Sequence, residues 1–152
     1  MTPIRIDRTD LASHVGEKLG VSPWHTITQD QIDRFADATL DHQWIHVDPD
    51  RARSSPVGST IAHGFLTLSL AVVLLEQTVE IEGCSQVINY GLNRVRFPSV
   101  VPVGSNVRMQ VEVVSVEEQA DTSLQATYSL VFELEGATKP CCVAESLLRY
   151  YP

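Results

Sequence analysis

Hydrophobic residues recur at helical spacing up to about residue 77 and alternate with polar ones beyond it. Thr28-Gln29-Asp30-Gln31 has the form of a capping box, with Thr28 as N-cap and Gln31 reaching back. Ile32, Phe35 and Ala36 then give one apolar face, which predicts a short amphipathic helix to about Ala38. Asp48-Pro49 predicts another helix start, because Asp accepts from the free N–H groups of a first turn and Pro suits its first position. Arg51 to Ser55 can complete a turn or two before Ser54-Ser55-Pro56-Val57-Gly58 ends it.

From Gly64 to Gln77 the segment GFLTLSLAVVLLEQ is apolar nearly all round, which demands a helix covered on most sides. The cover comes from the second half. Val87 to Asn93, Asn106 to Glu117, Thr122 to Glu135 and Pro140 to Tyr150 are rich in β-branched and aromatic residues with a period of two. Leu124, Ala126, Tyr128, Leu130, Phe132 and Leu134 share one face; Gln125, Thr127, Ser129 and Glu133 share the other, as in an antiparallel sheet with one side against the core. Val113-Val114 interrupts the alternation and predicts a bulge. The fold class is therefore α+β: a long, curved antiparallel sheet around one buried helix.

Composition adds limits. The 152 residues, 43% hydrophobic and 20% charged, suit one globular domain spanning 1–152. A net charge of −8 repels polyanions, so nucleic acid is not an expected partner. The three cysteines, Cys84, Cys141 and Cys142, lack metal-ligand spacing and read as reduced packing residues. The N-terminal stretch interleaves charges with apolar residues, unlike a signal peptide, and the apolar run Phe65 to Leu75 is shorter than the ~20 residues needed to cross a bilayer. A cytoplasmic location without membrane partners is expected.

The candidate chemistry lies in DHQWIH, Asp41 to His46. On a continuous helix Asp41 and His46 would point about 140° apart. A short irregular connection between the two predicted helices would let carboxylate and imidazole converge on one small molecule. Such a pair has coupled titrations and suits acid/base chemistry on water. A second constellation, His63-Gly64, opens the apolar helix, where backbone N–H groups beside a glycine form an anion or oxyanion site. The plainer alternatives are that Asp41 caps a helix, that His46 and His63 are satisfied semi-buried histidines, and that Gly64 only relieves crowding.

The segments FADATLDHQWIHVDPDRA and TIAHGFLTLSL resemble the MaoC-like family of hot dog fold hydratases, the (R)-specific enoyl-thioester hydratases and 3-hydroxyacyl-thioester dehydratases. Asp41, Ile45, His46, Asp48, His63, Gly64 and Leu66 fall in register with that family's pattern, and the similarity runs on through NYGLNRVRFPSVVPVGS and VAESLLRY, spanning about Gly16 to Tyr150. Leu40 stands where the family has glycine, and Gln43-Trp44 where it has Asn-Pro, a form found in a subgroup resembling NodN-type proteins and actinobacterial hydratases. Without glycine's freedom at positive φ, the turn at Leu40 must be built differently or strained.

The resemblance implies that Asp41 and His46 hold a water against the double bond of a trans-2-enoyl thioester, with Gly64 and His63 forming the oxyanion or substrate-binding end. It implies no metal or redox cofactor and a homodimer joined through sheet edges. The acyl groove is expected along Leu66, Leu70 and Val72, and the carrier is expected to be coenzyme A in preference to acyl carrier protein; Arg94 and Arg96, on alternate positions of one strand, share a face that could meet its phosphates, the plainer alternative being a solvated sheet face or a subunit contact. The rival readings are a hot dog thioesterase, a non-catalytic acyl-thioester-binding subunit, and a zinc site built on His42 and His46 with Asp48 and His63.

Overall fold

The alternating half of the chain forms the sheet and the helical half supplies what packs against it. The computed structural model describes residues 2–152. In chain order the elements are β1 (Ile4–Asp7), a 3-10 helix (Arg8–His14), β2 (Lys18–Val21), β3 (His25–Thr26), α1 (Gln29–Thr39), α2 (Trp44–Val47), α3 (Pro49–Ala52), α4 (Gly64–Ser69), α5 (Ala71–Glu76), β4 (Val79–Glu82), β5 (Gln86–Arg96), β6 (Asn106–Glu118), β7 (Leu124–Leu134) and β8 (Cys142–Tyr151).

The main sheet is antiparallel with strand order β2-β6-β7-β8-β5, and β3 lies beside β2 along the same edge of β6. A separate parallel pair joins β1 to β4. Ala126, Tyr128, Leu130 and Phe132 of β7 are buried as their alternation predicts, and they share one core with Val107, Met109, Val111 and Val113 of β6 and with Leu66, Leu70 and Leu74 of the central helices. Truncating a core leucine such as the fully buried Leu74 to alanine costs about 2–5 kcal/mol. The register slips between Val113 and Ser115, so Val114 is the extra residue of the expected bulge. This is the α+β, helix-on-sheet arrangement implied by the hot dog resemblance.

Three details depart from or add to the sequence reading. The central helix is divided at Leu70, whose N–H is shared between the Leu66 and Thr67 carbonyls. The cause is local: Ser69 Oγ donates back to the Phe65 carbonyl at 2.7 Å, and such hydroxyl bonds bend helices. The cover over most sides leaves an open face as well, since Phe65 is 68% exposed and Val72 and Val73 also face outward. The short strands β1 to β4 carry too few residues for alternation to register. No helix is long and apolar enough to cross a membrane among the described residues.

The cysteines are free, Cys141 and Cys142 fully buried. Burial pushes the Cys141 thiol up to about 11 and the Cys142 thiol up to about 12, so neither is a nucleophile near neutral pH.

Candidate active site

The site begins where α1 stops. Thr28 caps this helix by accepting from the Gln31 N–H at 3.2 Å, but the Gln31 side chain turns to His25 Nε2 at 3.1 Å, so only half of the expected capping box forms. At the far end Leu40 adopts the left-handed conformation, φ 62° and ψ 20°, and turns the chain so that Asp41 leads away from the helix axis. This is the positive φ the sequence comparison placed here, and leucine takes it with strain of about 1–2 kcal/mol. Its side chain is 82% exposed and packs on nothing that would offset the strain.

The connection after Asp41 is more regular than expected. Trp44–Val47 forms a helical turn, closed by the His46 N–H on the Gln43 carbonyl at 2.9 Å and the Asp48 N–H on the Trp44 carbonyl at 3.0 Å. The Arg51 guanidinium lies 4.3 Å over the Trp44 ring, and Asp48 caps α3 through the Arg51 N–H at 3.0 Å, with Pro49 in the first turn as predicted. The left-handed residue between α1 and α2 brings Asp41 and His46 together, where one continuous helix would have kept them apart.

His46 is buried and fixed from two sides. Its Nδ1 donates to the Ile61 carbonyl at 2.7 Å, while the Ile61 N–H donates to the Ile45 carbonyl at 3.0 Å. A carbonyl can only accept, so Nδ1 carries the proton and Nε2 presents a lone pair. Nε2 has no protein partner among the described residues and is still reached by solvent. Burial is the main reason the His46 pKa falls below its ordinary value. The neighbouring His63 pushes the same way, and the Ile61 hydrogen bond and Asp41 oppose it.

The His63 ring, only 3% exposed, stacks on His46 with centroids 3.7 Å apart and planes 23° from parallel. Its Nε2 donates to the Asp41 backbone carbonyl at 2.9 Å and lies 4.0 Å from an Asp41 carboxylate oxygen. The Asp41 side chain is about half exposed, and it draws only a long contact, 3.4 Å, from the Gln43 N–H. An Asp41 oxygen and one ring nitrogen from each of His46 and His63 lie within 4.8 Å of one another. A water at ordinary hydrogen-bond length, about 2.8 Å, spans such a gap from both ends.

Gly64 follows His63 at the start of α4, and its N–H donates to no acceptor among the described residues. The space beside it is tight, because a Cβ would stand 3.1 Å from the Phe97 ring. Phe97 also meets Phe65 edge to face, at 6.0 Å between centroids. The end of β5 therefore borders this amide. Arg96 immediately precedes Phe97, and Arg94 and Arg96 are both exposed. A register slip between Leu92 and Val95 disturbs the alternation on which their shared face was inferred.

Leu66 and Leu70 are buried in the core, and of the three residues expected along the acyl groove only Val72 lines a groove of about 500 Å³ between α5, β4 and the sheet. That groove is also lined by Leu75, Val87, Leu148 and Tyr150 and by none of Asp41, His46 and His63. His42 does not join the expected zinc set: its side chain turns to Asp37 at 2.8 Å. Among the described residues the trio Asp41, His46 and His63 could hold an ion, but His63 Nε2 is already committed to the Asp41 carbonyl.

Sequence reasoning missed two supporting residues. Gln29 donates to the His46 carbonyl at 2.8 Å and accepts from the Thr60 hydroxyl at 2.5 Å, tying the first turn of α1 to both sides of the site. The only sequence signal was a glutamine in a helix's first turn, which is unremarkable by itself.

Sheet order, buried helix and the convergence of acid and imidazole at that helix's start together define a hot dog domain. The chain belongs to the MaoC-like domain family, whose model, "MaoC like domain", matches residues 10–133. It is 56% identical over 141 residues to 3-hydroxyacyl-thioester dehydratase Z of Mycobacterium tuberculosis, covering 93% of each chain. It is 44% identical over 137 residues to nodulation protein N of Rhizobium leguminosarum bv. viciae, covering 89% of this chain and 85% of that one. Among solved structures it is similar to the (R)-hydratase from A. caviae involved in PHA biosynthesis, with 26% identity, a TM-score of 0.73, and coverage of 91% and 96%.

Proposed function

We propose that this chain hydrates trans-2-enoyl thioesters to (R)-3-hydroxyacyl thioesters, or dehydrates them in reverse, with a water held by Asp41 and His46. The observation that carries this reading is the convergence of an Asp41 oxygen and a His46 nitrogen beside the free Gly64 amide. The dehydratase and (R)-hydratase named above support both the reaction and its stereochemistry.

In the hydration direction His46 Nε2 takes a proton from the water as its oxygen bonds to C3. The C2–C3 π electrons move toward the thioester carbonyl, and the Gly64 N–H stabilises the charge that develops on its oxygen. The proton taken from water is shared across the His46–Asp41 pair and delivered from Asp41 to C2, which leaves both groups as they began. Each proton transfer is worth roughly 10²- to 10⁴-fold, and the fixed amide about 10²- to 10³-fold.

The whole chain, 1–152, acts as one MaoC-like domain on this reading. Coenzyme A is the proposed carrier, with Arg94 and Arg96, on the strand that ends just before Phe97, available to its phosphates. A cytoplasmic site fits three free cysteines. A homodimer is proposed because β5 pairs only with β8 and leaves its other edge open, flanked by exposed Val87, Tyr90 and Leu92 and by the outward Phe65, Val72 and Val73.

Incubation of the pure protein with crotonyl-coenzyme A tests the reaction. Loss of the conjugated-thioester absorbance with no free thiol, giving the (R)-alcohol, is the expected result. Release of thiol would instead make the chain a thioesterase, and an unchanged spectrum with bound ligand would make it a binding subunit.

A further inference from the structure

The groups assigned above to acid/base chemistry leave one buried titratable side chain without a chemical step. His63 touches every part of the site: its ring covers that of His46 at 3.7 Å, its Nε2 holds the Asp41 carbonyl at 2.9 Å, and its own carbonyl leads directly into the Gly64 amide. It meets Phe35 of α1 as well, at 5.0 Å between centroids, so the ring is wedged between the helix that delivers Asp41 and the turn that delivers His46. Its Nδ1 is buried with no hydrogen-bond partner among the described residues. An orphaned acceptor of this kind is uncommon and costly, yet the ring position that creates it also makes the stack and the tether.

We propose that His63 is a positioning residue for the reaction: it aims the Asp41 carboxylate by tethering that residue's backbone, and it fixes the His46 ring by covering one of its faces. The proposal rests on the reading of Asp41 and His46 given above.

The tether matters because Leu40, immediately before Asp41, sits in a strained left-handed turn, and the Asp41 carboxylate draws only one long contact of its own. Without the bond to its carbonyl, the residue preceding the reacting carboxylate is free to relax, and misplacement by about 1 Å can cost about 10²-fold in rate. The cover matters because burial holds His46 in its neutral, proton-accepting form. The titratable groups that face His46 are Asp41 from the turn and His63 from the start of α4. From α1 it receives only the uncharged Gln29, itself bonded to Asp33 at 2.8 Å.

Two variants separate these effects. His63→Phe keeps an aromatic ring on His46 and removes the donor to Asp41; His63→Gln keeps a donor and removes the ring. Each is assayed for kcat and KM on crotonyl-coenzyme A across pH, and the His46 ring is titrated by NMR without substrate. His63→Phe is expected to lower kcat about tenfold or more with KM changed less than about threefold, and to leave the acid limb of the pH profile near that of the parent. His63→Gln is expected to move that limb, and the NMR midpoint of His46, upward toward the ordinary histidine value.

Variants with kcat within about twofold of the parent and an unmoved His46 midpoint would overturn the proposal. So would a loss of rate that follows only a loss of folded protein while the midpoint stays in place. Asp41→Asn separates the two levels. If it is inactive while both His63 variants behave as the parent, the role of His63 alone falls. If it is as active as the parent, the catalytic reading falls, and the substrate-free NMR midpoint still decides whether His63 governs His46.

Discussion

His46 Nδ1 donates to the Ile61 carbonyl at 2.7 Å, and that bond decides which ring nitrogen faces the open side of the site. Because Nδ1 is committed, Nε2 is the nitrogen that acts as base in the proposed reaction. Burial, assisted by His63, holds the His46 pKa below its ordinary 6.5. Hydration should therefore be level through neutral pH and fall on the acid side with a midpoint below 6.5. Stability follows the same sign: the unfolded chain protonates His46 more readily, so this group's contribution is intact above 6.5 and is lost as pH falls through the lower folded-state value. A pH–rate profile with its acid midpoint above 6.5 would contradict this environment.

Leu40 is strained by its φ of 62° and makes no compensating burial. Leu40→Asn should raise stability by about 0.5–1 kcal/mol, because asparagine enters the left-handed region more easily without glycine's extra unfolded-state entropy. Chemical denaturation with an unchanged m-value is the measurement, and a destabilised variant would show that the side chain has a role its exposure conceals.

Gly64→Ala places a methyl group 3.1 Å from the Phe97 ring. Phe97 is partly exposed and can yield, so the stability cost should stay below about 1 kcal/mol while kcat/KM falls about tenfold or more as ring and methyl crowd the amide. Adding Phe97→Ala should recover part of that rate. A double variant no better than the single one would show that the methyl group itself blocks the carbonyl position.

Much of this was legible in the sequence, for reasons that differ by element. The alternation of β7 marks its buried face directly, and the doubled valine at 113–114 marks the bulge, because a period of two has no other way to absorb an extra residue. Asp41 and His46 could be paired from type and position. The helical turn at Trp44–Val47 could not be foreseen, since four residues carry no periodicity, and the break at Leu70 depends on a hydroxyl rotamer. The His63 stack and the Gln29 bridge join residues 17 and 31 positions apart, in contacts that no local pattern encodes.

The open edge of β5 and the outward faces of Phe65, Val72 and Val73 should be covered by a second copy. Light scattering on the purified chain should give twice the monomer mass, and a charge at Val72 or Tyr90, such as Val72→Glu, should shift it toward monomer. A stable monomer that stays soluble at high concentration would contradict the proposed pairing.

The most direct measurement is the turnover of crotonyl-coenzyme A by Asp41→Asn and His46→Ala proteins that retain the parent's fold and bind the substrate normally. Loss of kcat by about 10²-fold or more in each, with a double variant little worse than either, is the result expected of two groups acting on one water. Turnover at the parent's rate in either variant would contradict it.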